Sequence, residues 1–572
     1  MFLGNESISW SGMLQILGAL VALYSIVCAL LSYFTGFFWR LIWDWPRGRW
    51  CLPLVVSFVI LVYLWNFYIF RLFLRPEQKA VLIVEMVFFL LIMGLSIRIG
   101  EFSFSKVLFR KRFLIIAASS ILILITNSVL PTLGTSVTTS SPAQVTPRPD
   151  YPEKPVYVFG IDGADWQIML PMHKMGRVPC LSHIIQTGTI DYLATFDPTS
   201  SPLIWTTIAT GKGPFEHGIR DFGIYVLRSP DSWISVLPKG AGLRKVAVIM
   251  QKAKLWEFRP ASSWQWQSRS IWQIANEAGL PVAVNNWPVT LPVGPLNGFI
   301  GGETGFYLYH GIQPGEAFFP RSFGTDISAT ERTPIQGQLT PGDDSARFAI
   351  ELVSRTWQES DESWHAFHYA NRKWPMSLNL FYTHSLDLTQ HFFWHYGFRE
   401  KENARGQGEQ FEQAFQMIQR HIVDIDRHLG RFFGALAEIP FVLVVSDHGF
   451  RTIYGHERFL NPQSDRVQGV HDYSPPGCFM VHGPGLKHQY LGGLASVFDI
   501  TPTLLDLLGL PQAADMRGKT LLPMLCERQA ASTLEQRVIP TYERSPNVAD
   551  ISDRSQSDRA VEDRLKAIGY IE

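Results

Sequence analysis

Four short segments of this 572-residue chain carry side chains able to hold a divalent cation. Asp162 precedes Gly163 at the end of the apolar run Val156–Ile161. Asp387 and His391 stand four residues apart in a stretch with helical patterning, so both fall on one helical face and can chelate one ion. Asp447 and His448 are adjacent, and the glycine after them permits the tight turn needed to aim both side chains at one point. His471 lies in a Gly-Val-His loop. Carboxylate oxygen and imidazole nitrogen are the ligand types of zinc and similar divalent ions. Taken singly, a strand-end aspartate is an ordinary helix N-cap and a solitary histidine an ordinary packed residue. Only their convergence on one place would make a site.

Convergence needs a scaffold. Val156–Ile161, Val282–Asn285, Leu378–Tyr382 and Phe441–Val445 read as short buried strands, and amphipathic stretches such as Gln410–Phe433 lie between them. Such alternation predicts an α/β fold, a largely parallel sheet with helices on both faces. In open sheets of this kind, ligands bind beyond the carboxyl ends of the strands. Asp162, the Asp387 segment and the Asp447-His448 pair each follow such an end. The chain has no internal repeat, phosphate-binding P-loop or dinucleotide fingerprint.

Composition narrows the function classes. The chain has 50 basic and 50 acidic residues, so neither a polybasic nucleic-acid binder nor an acidic solvating tail is expected. Aromatic residues at 13% exclude dominant disorder. Five cysteines are too few for a disulfide-stapled module, and spacing leaves open whether Cys180 and Cys478 pair. Charged residues, at 17%, are scarce, and residues 1–131 explain much of this. Met13–Phe34, Leu52–Phe70, Ala80–Ile97 and Phe113–Leu130 are each long enough to cross a bilayer as a helix. Arg40, Arg47 and Arg49 lie in the first loop, and Arg98, Lys106, Arg110, Lys111 and Arg112 in the third. The second loop has Arg71, Arg75 and Lys79, and Arg148 follows the last run. This excess in the first and third loops places both ends of the four-helix bundle outside the cytoplasm. Glu85, near the end of its run, reads as an interfacial carboxylate. Residues 132–155, rich in Ser, Thr and Pro, form an extended linker. A catalytic domain over 156–525 and a tail over 526–572 follow, the tail ending in a short amphipathic segment without catalytic role.

Segments from 156 to 525 resemble a known family. VFGIDGADW, VPCLSHIIQTGTI, SSPLIWTTIATGKGPFEHGIRDF, SIWQIANEAGLPVAVNNWPVTLP, DLTQHFFWHY, VVSDHGF and FDITPTLLDLLGLP look like the alkaline phosphatase superfamily, in its type I phosphodiesterase and nucleotide pyrophosphatase branch. The resemblance implies two divalent ions, zinc or manganese. Asp387, His391 and His471 would hold one, and Asp162, Asp447 and His448 the other, with the nucleophile. In this branch the nucleophile precedes the Thr of a Thr-Gly pair by nine residues, which from Thr210-Gly211 gives Ser201. Related sulfatases place it two residues before a proline, which gives Ser200. Two family features are missing. Ile204 stands where nucleotide pyrophosphatases carry an asparagine, and the arginine that the sulfatase pattern places after its proline does not closely follow Pro202. Lys212, His217 and Arg220 follow the nucleophile segment, where they could contact phosphate, although packing suits His217 better. Residues 225–275 and 305–375 look like insertions, the first with Trp233, Trp256, Trp264, Trp266 and Trp272 available either for a cap over the site or for packing.

The leading expectation is a membrane-anchored phosphohydrolase or phosphodiesterase that acts through a phosphoserine on a phosphate ester, facing the periplasm or exterior. A second expectation is a phospho-group transferase acting on a lipid or glycan head group. A third is an inactive scaffold, against which the full ligand set argues. No nucleic-acid partner is expected.

Overall fold

The structure is a computed structural model. It describes residues 145–562 except 149–150, 152–153, 227–232, 236–242, 303–313, 324–343, 399–407, 435, 437–439, 454–468, 527–536 and 544–560. The four long apolar runs and most of the linker and of the tail lie outside the described residues. Among the described residues no helix is long and apolar enough to cross a membrane.

A nine-stranded sheet forms the centre of the larger of two compact units. Its strands in chain order are β1 (Val156–Ile161), β2 (Thr189–Leu193), β3 (Val282–Asn285), β4 (Gly298–Gly301), β5 (Phe318–Phe319), β6 (Leu378–Thr383), β7 (Phe441–Val445), β8 (Gly477–His482) and β9 (Gln489–Tyr490). They are arranged β9-β2-β8-β7-β1-β6-β3-β4-β5. The core of the sheet, β7-β1-β6-β3-β4, is parallel throughout, while β8 and β5 run antiparallel to their neighbours. Strands covered on both faces read as unbroken apolar runs, and β1, β6 and β7 are buried along their full lengths.

The two faces differ. Tyr157, Phe159 and Ile161 of β1 point into a cluster shared with helices α1 (Trp166–Lys174), α2 (Pro179–Thr187), α5 (Asp344–Lys373), α6 (Ser385–Phe398) and α7 (Gly408–Gly434). There Trp364 of α5 stacks on Phe381 of β6 at 3.8 Å. Full burial of an apolar side chain of this kind contributes about 1.5–3 kcal/mol. Residues 344–373, within the stretch read as a second insertion, thus supply core to the sheet as a 30-residue helix. Gly160 faces the other way, and a Cβ there would lie 2.6 Å from the Trp205 ring. That close approach seats α3 (Ser201–Thr210) directly on the sheet. Helices α4 (Ile271–Glu277) and α8 (Ile500–Leu507) pack beside α3.

The smaller unit includes residues 223–259. It has strands Gly223–Val226, Trp233–Ser235 and Glu257–Pro260 and an amphipathic helix, Leu243–Lys252. Tyr225 packs against Trp256 and Phe258 there. Trp266 and Trp272, from the same tryptophan-rich stretch, belong to the larger unit. They continue an edge-to-face series through Trp287 to Trp205 beneath the sheet's carboxyl edge, so these two rings are packing residues. Cys180 and Cys478 are both free thiols.

Candidate active site

Register fixes where the ligands emerge. Gly160 of β1 lies opposite Val445 of β7, and Ile161 opposite Thr383 of β6. The Asp162 N–H extends this ladder to the Thr383 carbonyl at 2.9 Å. Three parallel strands therefore end level, with Asp162 and the Asp447-His448 pair just beyond β1 and β7. Asp387 stands in the first turn of α6, which starts two residues after β6, and His391 follows one turn later.

His448 occupies the middle. Its Nε2 is 3.4 Å from Asp162 Oδ1, 3.2 Å from Asp447 Oδ2 and 3.9 Å from Asp387 Oδ1. Its ring stacks on His471 at 4.2 Å, and His391 lies 5.1 Å from His471 with Nε2 3.6 Å from Asp387 Oδ2. Ligand atoms of Asp162, Asp447 and His448 lie within 4.8 Å of one another, as do those of Asp387, His448 and His471. The first triplet is the one the sequence predicts. The second has His448 where His391 is expected, although His391 adjoins the same carboxylate. One imidazole lone pair serves one ion, so His448 can complete only one set. That leaves Asp387, His391 and His471 for the other.

Hydrogen bonds select the imidazole tautomers. A carbonyl only accepts, so His391 Nδ1, 2.9 Å from Gly469 O, carries the proton and the lone pair is on Nε2. His448 Nδ1 donates in the same way to Gly449 O at 3.2 Å. The Thr199 hydroxyl donates to His471 O at 2.8 Å, so it accepts from His471 Nδ1 at 3.1 Å. All three rings thus turn Nε2 away from these anchors. Burial holds His391 and His448 below the usual imidazole range, and for His448 the neighbouring His471 and His391 add to this. Neutral imidazole is the ligating form.

The carboxylates show why a cation fits. Burial, then the charge of Asp387, pushes Asp162 up to about 7. Burial, then Asp162, raises Asp447 well above the carboxylate range. Asp162 Oδ1, Asp447 Oδ2 and His448 Nε2 are buried and have no hydrogen-bond partner among the described residues. Each such buried polar atom costs about 1–3 kcal/mol, and more if charged. Three of them aimed at one point beside a third acid form an arrangement that a divalent cation satisfies.

Ser201 is the first residue of α3, and Ser200 is its N-cap. Two residues before Ser201, Thr199 holds His471; four residues after it, the Trp205 indole N–H donates to Asp162 Oδ2 at 3.1 Å. The serine pair is therefore bracketed by contacts to both ligand sets. It lies at the positive end of a helix dipole, a favourable position for a phosphoryl group. Ser201 is 9% exposed, whereas Ser200 Oγ is fully buried with no hydrogen-bond partner among the described residues. Ile204 is wholly buried and brings no polar contact to the asparagine position. Lys212 does not reach for phosphate: its ammonium is held by Asp515 at 2.8 Å and by Glu543. His217 is buried in packing, with Nε2 3.2 Å from Thr207 Oγ1.

Sequence reasoning missed the residues that hold the ligands. Tyr382 OH donates to Asp162 Oδ2 at 2.6 Å. Asp165 caps α1 and also accepts from the Phe450 N–H at 2.8 Å, tying the loop after β1 to the loop after β7. Gln390 donates to Gly163 O at 2.6 Å. Asp165 carried a signal, since it stands three residues after a ligand at the start of a helix. Tyr382 and Trp205 read as core aromatics.

Known proteins carry related sequences. The 2,3-bisphosphoglycerate-independent phosphoglycerate mutase of Synechococcus sp. (strain JA-3-3Ab) is 33% identical over 115 residues, covering 19% of this chain and 21% of that protein. The mutase of Chloroflexus aggregans is 34% identical over 103 residues, 17% of this chain and 18% of that one. The chain thus spans about a fifth of the length of these curated relatives. Among solved structures, a murine ectonucleotide pyrophosphatase/phosphodiesterase 5 aligns with 62% of this chain and 95% of its own at 14% identity and a TM-score of 0.36. The model of one family matches residues 156–471, more than half of the chain, which therefore belongs to the type I phosphodiesterase / nucleotide pyrophosphatase family.

Proposed function

We propose that the chain is a membrane-anchored, metal-dependent phosphate-ester hydrolase that works through a phosphoserine on Ser201, with its catalytic domain on the periplasmic or external side. One observation carries this reading: buried, unsatisfied atoms of Asp162, Asp447 and His448 converge beside the N-terminus of the helix that begins with Ser201. Family membership supports the same chemistry.

Asp162, Asp447 and His448 would hold one divalent ion, and Asp387, His391 and His471 a second, either zinc or manganese. When bound, such ions supply positive charge that favours an ionised nucleophile and shields phosphoryl oxygens. Ser201 Oγ attacks phosphorus, and its proton is lost to solvent as the O–P bond forms. The ester P–O bond breaks, and the departing alkoxide takes a proton from water. In the second step water attacks phosphorus from the vacated side, the Ser201 O–P bond breaks, and Ser201 recovers a proton. The first turn of α3 directs its backbone dipole at the charge building on phosphate. The imidazole anchors, Gly469 O, Gly449 O and Thr199, keep the ligand rings from turning during the reaction. The test is turnover of a chromogenic phosphodiester with added zinc or manganese. Ser201→Ala and Asp447→Ala are expected to remove it, and undiminished turnover in both would overturn the proposal.

A second reading has an acceptor alcohol replace water, so that the phospho group moves to a lipid or glycan. The match to phosphoglycerate mutases favours it, as do the four apolar runs that would keep the site near lipid. Mass spectrometry of membrane lipids and glycans from a deletion strain separates the two. A missing head-group modification supports transfer, and an unchanged profile supports hydrolysis.

A further inference from the structure

Asp162 has one oxygen on each side of a division. Its Oδ2 accepts two hydrogen bonds, from Tyr382 OH at 2.6 Å and from Trp205 Nε1 at 3.1 Å. Its Oδ1 has no hydrogen-bond partner among the described residues and points to His448 Nε2 at 3.4 Å. The two donors come from different elements. Tyr382 belongs to β6, level with Gly160 of β1, and Trp205 belongs to α3. Both are buried, and their rings meet edge to face at 4.9 Å. Trp205 is further wedged between Gly160 and Trp287, so its N–H cannot swing to another acceptor.

We infer that Trp205 and Tyr382 are positioning residues that make Asp162 a one-oxygen ligand and set Ser201 against it. This rests on the two-ion reading above. With both lone-pair directions of Oδ2 engaged, the carboxylate cannot rotate to offer two oxygens to one ion, and its charge is delivered through Oδ1. Trp205 lies four residues after Ser201, one helical turn along the same face. The indole hydrogen bond is therefore a strut of fixed length between the metal ligand and the helix that carries the nucleophile. Hydrogen bonds to a ligand's far atom commonly change ion affinity or activity by about 10–100-fold.

The test uses the full chain, loaded with and freed of zinc, and the variants Trp205→Phe and Tyr382→Phe. Each keeps a ring and removes one donor. Zinc affinity, measured by competition with a chromophoric chelator, is expected to weaken about tenfold in each variant. The ion-free melting temperature is expected to stay within about 2 °C of the parent. With a phosphodiester, kcat is expected to fall with KM little changed, since a displaced nucleophile acts on the transition state. In an Asp162→Asn background the same two substitutions are expected to add little to the loss of affinity. Unchanged zinc affinity in both single variants would overturn the inference, as would an equal loss in the Asp162→Asn background. Should Trp205→Phe fail to fold, Tyr382→Phe alone decides by the same readouts. Zinc binding without turnover in the parent would sink the hydrolase reading yet leave this inference measurable. A parent that binds no ion would sink both.

Discussion

The two halves of the site are built differently. Asp162, Asp447 and His448 extend from strand ends and are at most 1% exposed; Tyr382 and Trp205 fasten Asp162, the Gly163 N–H fastens Asp447, and His448 donates to Gly449 O. Asp387 and His391 stand on a helix, and His471 follows a two-residue strand, Gly469–Val470, and is partly exposed. Thr199 anchors its Nδ1. A ligand set fixed by the sheet has little freedom to adapt, whereas one assembled from a helix and a loop can adjust as substrate enters. In the proposed mechanism the sheet-built half would hold the nucleophile's ion, and the helix-and-loop half would face the leaving group.

Breaking the sheet-built half should have the largest effect. Ser201→Ala is expected to lower turnover by roughly four orders of magnitude or more, the scale for loss of a covalent nucleophile. A Ser200→Ala control that retains turnover would assign the nucleophile, and the reverse pattern would move it to Ser200. Asp447→Asn should leave one ion per chain by elemental analysis, against two in the parent. Loss of both ions would show that the halves are not separable.

Thr199→Val targets the other half. It removes the partner of His471 Nδ1, and affinity for the more weakly held ion is expected to fall by about tenfold. Calorimetric titration would check this, and equal weakening of both ions would erase the contrast between the halves.

Acid gives the smallest effect and separates the site from the layer beneath it. Burial holds His421, hydrogen-bonded to Ser385 and stacked on Trp357, at about 3, and His368 at about 4. The unfolded chain takes up protons at these histidines below about 6.5, while the folded chain stays neutral. Their contribution to stability is therefore full above that pH and lost as pH falls toward 4 and then 3. Across this window these histidines pull the melting temperature of the ion-free protein down, against the opposite pull of Asp162 and Asp447, whose carboxyls are raised in the folded chain. A His421→Gln variant should decline less steeply, and parallel profiles would refute the assignment.

Strand boundaries and the convergence of the candidate ligands were legible because both follow simple rules. Val156–Ile161, Val282–Asn285 and Phe441–Val445 form as read, and the run Leu378–Tyr382 extends one residue to Thr383. Asp387 and His391 share a helix, as their spacing required. The holders of the ligands were not legible. Tyr382 is 220 residues from Asp162, and nothing in an apolar run marks one aromatic as a donor. Trp205 has the pattern of a core residue and is one; its N–H gains meaning only from Asp162 across the interface. The tryptophan-rich stretch stayed open between cap and packing because composition does not distinguish a ring that caps a site from one that supports it.

Lys212 follows the turn that ends the nucleophile helix, and its buried ammonium is shared between Asp515 and Glu543. These carboxylates lie 303 and 331 residues beyond Lys212 in the chain, after the last candidate ligand, so the far end of α3 is closed by late segments. A chain cut before residue 543 would keep every candidate ligand yet lose one of the two acids that neutralise this buried cation, which costs stability.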